Sequence, residues 1–378
     1  MSSNERPQFG INAARQQAAG NRAPDGLTLI HRALEAKPFK PHPYFVSGHA
    51  QTLAAFLWPR RHALRAHHHN DQGRIFDVAP RVQLLAHCRW QRDAQRAPTM
   101  LLVHGLEGSS EGVYMLSTGA KAYAAGFNVL RLNLRNCGGT EHLTPTLYNS
   151  GLSGDLRAVI GELIERDQLR RIFLVGFSMS GNMSLKMAGE DGACVPRELM
   201  GVCAISPSVD LSASANAIEQ RSNWIYHRNF MISLRRRIRS KKKLYPDLYD
   251  TRGLRRVRTL RQFDARYTTV DGGYASVEDY YAHASSRSLI PDIRVPSLII
   301  HAQDDPFIPC APLLDPSIAA NPDVLLITPA HGGHVGFVAG ETRGEDRFWA
   351  ENRTIEFCTL LVEQGASGNQ QIVNVTST

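Results

Sequence analysis

The sequence predicts an α/β fold: a mostly parallel central sheet with helices on both faces and one helical insertion late in the chain. Three observations carry this. Short strands that are apolar throughout, such as 100–103 and 172–175, suit a sheet covered on both sides. They alternate with helical patterns of about 10–15 residues, the signature of right-handed βαβ units. One of them, Ile172 to Val175, ends abruptly in Gly176-Phe-Ser-Met-Ser-Gly181, a sharp strand-to-helix turn with a serine at its tip.

Length and composition set the frame. At 378 residues the chain holds one large α/β domain with an insertion, or two domains. An apolar fraction of 43% and a charged fraction of 21% suit an ordinary globular protein rather than a disordered or membrane-spanning one. No apolar run approaches the ~18 residues of a membrane span. The start, Met1-Ser-Ser-Asn-Glu-Arg-Pro7, lacks the apolar stretch of a secretion signal, so the expected location is the cytoplasm. Cys88, Cys137, Cys194, Cys203, Cys310 and Cys358 are scattered, with no Cys-x-x-Cys pair. Free thiols in a reducing compartment are expected, with no zinc site and no cofactor.

Residues 1–27 are polar and rich in Asn, Gln, Ala and Arg, and read as a flexible tail. A short apolar helix pattern follows over 28–40, then an aromatic-rich helix around 45–58 on the outside of the core. His62 and His67-His68-His69 read as exposed loop or strand edge, because adjacent histidines cannot all face one metal. Strands are expected at 74–78 and 82–89. The regular alternation then runs strand 100–104, helix 113–125, strand 127–132, helix 153–167, strand 172–175, helix 179–189 and strand 200–205. From 207 to about 292 the chain turns polar, basic and irregularly helical. It resumes with strand 295–301, a short helix 311–319, strand 324–328 and a closing helix 346–364. One domain is therefore expected over 28–365, with a cap inserted at about 207–292. Residues 366–378 show no pattern and read as a second flexible tail.

A strand that turns into a helix through Gly-x-Ser-x-small is the nucleophile elbow of α/β-hydrolases. It lifts Ser178 above the sheet against the partial positive charge of a helix N-terminus. A serine hydroxyl needs a base, and the base needs a carboxylate to orient it. In this fold class the order is Ser, acid, His, each on a loop at the C-terminal sheet edge. The acid falls in Gln303-Asp-Asp-Pro-Phe-Ile-Pro309, after a predicted strand: Asp305, with Asp304 second. The base falls in Pro329-Ala-His-Gly-Gly-His-Val335, after the last strand: His334, freed by two glycines, with His331 second. Developing negative charge needs two N–H donors. These are expected from Met179, next to the serine, and from Leu106 in the loop His104-Gly-Leu-Glu-Gly-Ser-Ser110. Neither phosphate-binding glycine pattern is present. Glu107 reads as a solvated or salt-bridged loop acid.

Several stretches together resemble the YheT-like α/β-hydrolases and the related ABHD1/ABHD3 group. They are Gly48-His-Ala-Gln-Thr52, His104 to Ser110, Arg135-Asn-Cys-Gly-Gly139, Gly176 to Asn182, Asp279-Tyr-Tyr281 with Ser285, Asp304-Asp-Pro-Phe307 and His331 to Phe337. The resemblance covers about 40–362. It implies a serine hydrolase of carboxylic esters or acylglycerol-like lipids, with Ser178 as nucleophile, Asp305 as acid and His334 as base. Two positions depart from the family pattern: Ser180 and Asn136 stand where glycine is usual.

The net charge of +8 is local. Residues 234–261 hold twelve Lys or Arg against two Asp, a net +10 that leaves the rest of the chain at −2. The plainest reading is a solvated helix face. A surface for anionic membrane comes second. Nucleic-acid binding is not expected, since no recognised binding motif accompanies the charge. Trp224, Tyr226 and Phe230 suit cap packing or an acyl pocket, as do Tyr280 and Tyr281. The expectation is an ester hydrolase working through an acyl-enzyme on Ser178, with a small ester or lipid as substrate. The alternatives are an acyltransferase using the same triad and a non-catalytic binding protein on this fold.

Overall fold

A computed structural model describes residues 26–60, 71–340 and 344–375. The histidines at 62 and 67–69 lie outside the described residues, as does the expected N-terminal tail up to residue 25. Eight strands form one sheet: β1 (Gln72–Ala79), β2 (Val82–Arg89), β3 (Thr99–Val103), β4 (Asn128–Leu132), β5 (Ile172–Phe177), β6 (Leu199–Ile205), β7 (Ser297–Ile300) and β8 (Val324–Ile327). Their spatial order is β1-β2-β4-β3-β5-β6-β7-β8. The first hairpin and the β2–β4 pair are antiparallel; every pairing from β4 to β8 is parallel.

Strand period decides which side chains go where. In β3, Leu101 and Val103 point to one face, Met100 and Leu102 to the other. The first face is covered by α4 (Ser153–Glu165) and α5 (Met179–Asp191) through Leu156, Val159, Met183 and Met187. The second is covered by α1 (Gly26–Glu35), α3 (Val113–Ala124) and α9 (Trp349–Val375) through Ile30, Leu34, Met115, Trp349 and Phe357. Burial on both faces is why β3 to β8 are mainly apolar, with Arg131 in β4 the charged exception.

Between β6 and β7 the chain leaves the sheet. It forms α6 (Leu211–Ile218), the long α7 (Trp224–Leu244), helical turns over 260–272 and α8 (Val277–Ala284). These carry a small core of their own, with Met231, Leu234, Ile238, Leu260 and Phe263 packed on Leu147 and on Phe307 and Ile308 of the main body. The cap thus sits over the C-terminal edge of the sheet.

The C-terminal segment over 366–375, expected as a tail, continues α9 as helix up to Val375. One expectation is corrected. The basic stretch is not one solvated face. Arg235 bonds the Val257 carbonyl, Arg237 pairs with Glu107, and buried Lys241 donates to the Glu141 and Thr144 carbonyls. Arg236, Arg239 and Lys243 are the exposed members of the run on α7. A helix that lies on the body must turn one arc inward, and here that arc is cationic.

Candidate active site

The turn after β5 places Ser178 at φ 55, ψ −117, a conformation rare for a side-chain-bearing residue. Close backbone approach explains the flanking glycines. A Cβ on Gly176 would lie 2.3 Å from the Ser180 carbonyl oxygen, and one on Gly105 would lie 3.0 Å from Ser178 Cβ. Ser180, where glycine is usual, is fully buried and donates its hydroxyl to the His104 carbonyl. The departure therefore ties the elbow to the loop after β3 rather than loosening it.

The three predicted chemical groups meet. His334 Nδ1 lies 2.7 Å from Asp305 Oδ2, and its Nε2 lies 2.9 Å from Ser178 Oγ. A carboxylate can only accept, so Nδ1 carries the proton and Nε2 of the neutral ring is free to accept from the serine. The Asp305 side chain is wholly buried, and its Oδ1 accepts the Phe307 and Ile308 N–H groups. Burial alone would raise its pKa. His334, His301 and the Ile308 N–H outweigh that and hold it below the ordinary 3.8. Phe307 packs on the imidazole, ring centres 4.2 Å apart. The second-choice residues pair with each other instead: Asp304 Oδ2 faces His331 Nδ1 at 3.3 Å, and Asp304 Oδ1 accepts the Gly333 N–H.

The loop carrying His334 is braced by α2 (Gly48–Leu57). Thr52 Oγ1 accepts the His334 N–H and donates to the Gly48 carbonyl. Buried Gln51 bonds Val338 through both its N–H and its carbonyl. Gly48 is indispensable there, since a Cβ would sit 1.8 Å from the Asp304 carbonyl oxygen. Val335, at φ 52, gives its N–H to the hydroxyl of Ser206, itself at φ 50. Strained residues thus gather at one sheet edge and hold one another.

Leu106 and Met179 both line the cavity that Ser178 faces. Met179 N–H is the first donor of α5, one that no helical carbonyl can satisfy. Leu106 N–H has no acceptor among the described residues, while Gly105 and Glu107 beside it give theirs to the hydroxyls of Tyr114 and Tyr148. His104 is fully buried. Burial and the nearby Arg237 push its pKa down to about 4 although its bond to the Gly105 carbonyl favours the charged form. The neutral ring bridges the Gly105 carbonyl and the Leu134 N–H.

The cavity encloses ≈ 850 Å³, its open mouth included, and its lining is mostly apolar. Phe230, Leu234 and Phe263 come from the cap, and Phe307 and Ile308 from the acid loop. Tyr280 and Tyr281 also line it, whereas Tyr226 stacks on His49 outside it and Trp224 is exposed. Its polar members include Arg237 and Asp264.

The model of the alpha/beta hydrolase fold family matches residues 98–341, which spans the elbow, the acid loop and the histidine loop. The chain belongs to the α/β-hydrolase fold family. Within it, the chain is similar to "Phospholipase ABHD3" of Mus musculus, 29% identical over 66% of this chain and 60% of that protein. It is 33% identical to "Monoacylglycerol lipase" of Saccharomyces cerevisiae over 67% of this chain and 57% of that one. "Putative esterase YheT" of Escherichia coli K12 is 29% identical over 71% of this chain and 79% of its own length. The chain thus spans about 60% of the length of the first two relatives. In fold it is similar to the crystal structure of 2,6-dihydroxy-pseudo-oxynicotine hydrolase, with a TM-score of 0.52 at 16% identity, covering 95% of this chain and 91% of that one.

Three elements of this α/β-hydrolase site escape sequence reasoning: the Thr52 brace, the Ser206 contact and the identity of Arg237 as the buried partner of Glu107, for which a salt bridge is one of two expectations. Each joins residues more than a hundred positions apart, and no local pattern signals such a contact.

Proposed function

We propose that the protein is a carboxylic ester hydrolase acting through an acyl-enzyme on Ser178. The observation that carries this is the continuous hydrogen-bonded line Asp305–His334–Ser178, opening on an apolar cavity. In this reading His334 Nε2 takes the Ser178 proton as Oγ attacks the ester carbonyl, and Asp305 stabilises the imidazolium that forms. The N–H groups of Leu106 and Met179 receive the oxyanion. His334 then protonates the leaving alcohol, and water, activated by the same ring, releases the acid.

The substrate we infer is an ester of an aliphatic acid, acylglycerol-like lipids included, because Leu, Ile and Phe side chains line much of the cavity wall. The relatives' names point the same way. Lipid substrates sit at interfaces, and the cap carries outward cations at Arg236, Arg239, Lys243, Arg255, Arg256 and Arg258. Peripheral contact with anionic membrane through 234–261 follows from them, weaker than the raw charge count implies because Arg235, Arg237 and Lys241 face inward. No helix among the described residues is long and apolar enough to cross a membrane.

The deciding experiment is hydrolysis of p-nitrophenyl and glyceryl esters of graded chain length, with fluorophosphonate labelling. The wild-type protein should cleave and label, and Ser178→Ala should do neither. A wild-type protein that does neither ends the reading. Faster transfer to an added alcohol than to water would make it an acyltransferase.

A further inference from the structure

We propose that Arg237, on cap helix α7, is a positioning residue that acts through Glu107 to hold the oxyanion loop in place. The seating of the cap is thereby coupled to the rate of acyl transfer. This rests on reading Leu106 N–H as an oxyanion donor.

Glu107 follows Leu106 directly and holds φ 55 without being glycine. Such a conformation persists only where the surroundings enforce it. Three contacts do so. The Glu107 N–H donates to the Tyr148 hydroxyl at 3.1 Å, and that hydroxyl donates back to Glu107 Oε1 at 2.6 Å. Arg237 Nε donates to the same Oε1 at 2.8 Å. The two charged side chains are only 9% and 8% exposed, so the pair is scarcely screened by water. The Arg237 fork has a second tine: Nη1 reaches the Asn136 carbonyl in the loop after β4, where Asn136 itself stands at φ 64. The guanidinium also lies over the Tyr148 ring, 5.0 Å from its centre.

One cap residue therefore clamps two loops of the main body, the one after β3 and the one after β4. On the other side of Leu106, Gly105 N–H is held by Tyr114. Leu106 N–H is the donor left over between two fixed neighbours, and its aim follows theirs. A lysine cannot replace Arg237 here, because a point charge has no second arm in a fixed plane. Without the arginine, Glu107 keeps a buried charge with one hydroxyl partner and has reason to turn outward.

The test is steady-state hydrolysis of p-nitrophenyl butyrate by Arg237→Met, Arg237→Lys and Tyr148→Phe. It is paired with inhibition by an alkyl trifluoromethyl ketone, whose adduct oxygen takes the oxyanion position. Arg237→Met should lower kcat about 10–100-fold with KM within about threefold, since a donor displaced by about an ångström loses much of its value. Ketone affinity should fall in proportion to kcat/KM, as expected where only transition-state contacts are lost. Arg237→Lys should recover a minor part. An unchanged kcat in folded Arg237→Met overturns the inference. So does a raised KM with kcat intact, which would make Arg237 a substrate contact. Should Arg237→Met not fold, Arg237→Lys carries the test: it keeps a cation beside Glu107 but loses the second arm to the Asn136 carbonyl, and an unchanged kcat there overturns the inference. Tyr148→Phe, which removes the acceptor of the Glu107 N–H, should lower kcat as well. Failure of the underlying reading looks different, because the wild-type protein would then neither hydrolyse the ester nor label at Ser178.

Discussion

At the scale of single residues, neighbours in a loop differ more than their spacing suggests. Asp304 and Asp305 are adjacent, yet Asp305 is wholly buried against His334 while Asp304 faces His331 on the outside. Asp305→Asn should lower kcat on the order of 10³–10⁴-fold, because Nδ1 then loses the acceptor that fixes the tautomer. Asp304→Asn should cost only a few-fold, since the amide oxygen still accepts the Gly333 N–H. Single-turnover kinetics of the two variants separate them. Ser180 supports a second prediction of unusual sign. Ser180→Gly restores the family's usual residue, but it strands the His104 carbonyl and adds a glycine to the first turn of α5. Stability should fall by about 1–3 kcal/mol, read from urea unfolding. The order Ser178, Asp305, His334 was legible because each follows a predicted strand. Ser180's partner was not, because it lies 76 positions away.

At the scale of elements, the helix that looked peripheral turns out to brace the site. The sequence shows α2 as an aromatic-rich outer helix, and Gly48 to Thr52 stand out in it only through resemblance. In the structure Gln51 and Thr52 grip the histidine loop across more than 280 positions. Thr52→Val keeps the shape and removes the hydroxyl that accepts the His334 N–H. It should lower kcat by about 10-fold with KM steady, and stability by about 1–2 kcal/mol. An unchanged kcat at lowered stability would reduce α2 to packing alone. The same reasoning explains why the basic run on α7 misled. Charge counts carry no direction, so only the structure separates the arc that clamps the body from the arc that meets solvent. The alternating strands and helices of the sheet were legible for the opposite reason: burial on both faces imposes a local apolar pattern that needs no partner to be seen.

At the scale of the whole molecule, two buried groups pull stability in opposite directions with pH. In the main body, burial lowers the pKa of His104 from 6.5 to about 4. Between those values the unfolded chain binds a proton that the folded one refuses, so stability falls as the solution is acidified. In the cap, burial raises the pKa of Asp264 from 3.8 to about 6, against the hydrogen bonds from Thr268 and Tyr281 that favour its charge; Glu219 also raises it and Arg261 lowers it. A raised carboxyl pKa works the other way: its contribution is full below 3.8 and is lost as pH rises through about 6. Between pH 4 and 6 the two slopes oppose each other, so a wild-type titration shows neither alone. Asp264→Asn removes one of them. Whatever the substitution does to packing is the same at every pH, so the signature is the change in the stability gap. The variant should gain on the wild type by roughly 2 kcal/mol between pH 4 and pH 7, somewhat less than the full worth of the shift because the unfolded carboxyl is already mostly ionised at pH 4. Urea unfolding of both proteins across that range measures it. A gap that stays constant with pH would mean that Asp264 titrates alike folded and unfolded, and that the polar wall of the cavity is wetter than its burial implies.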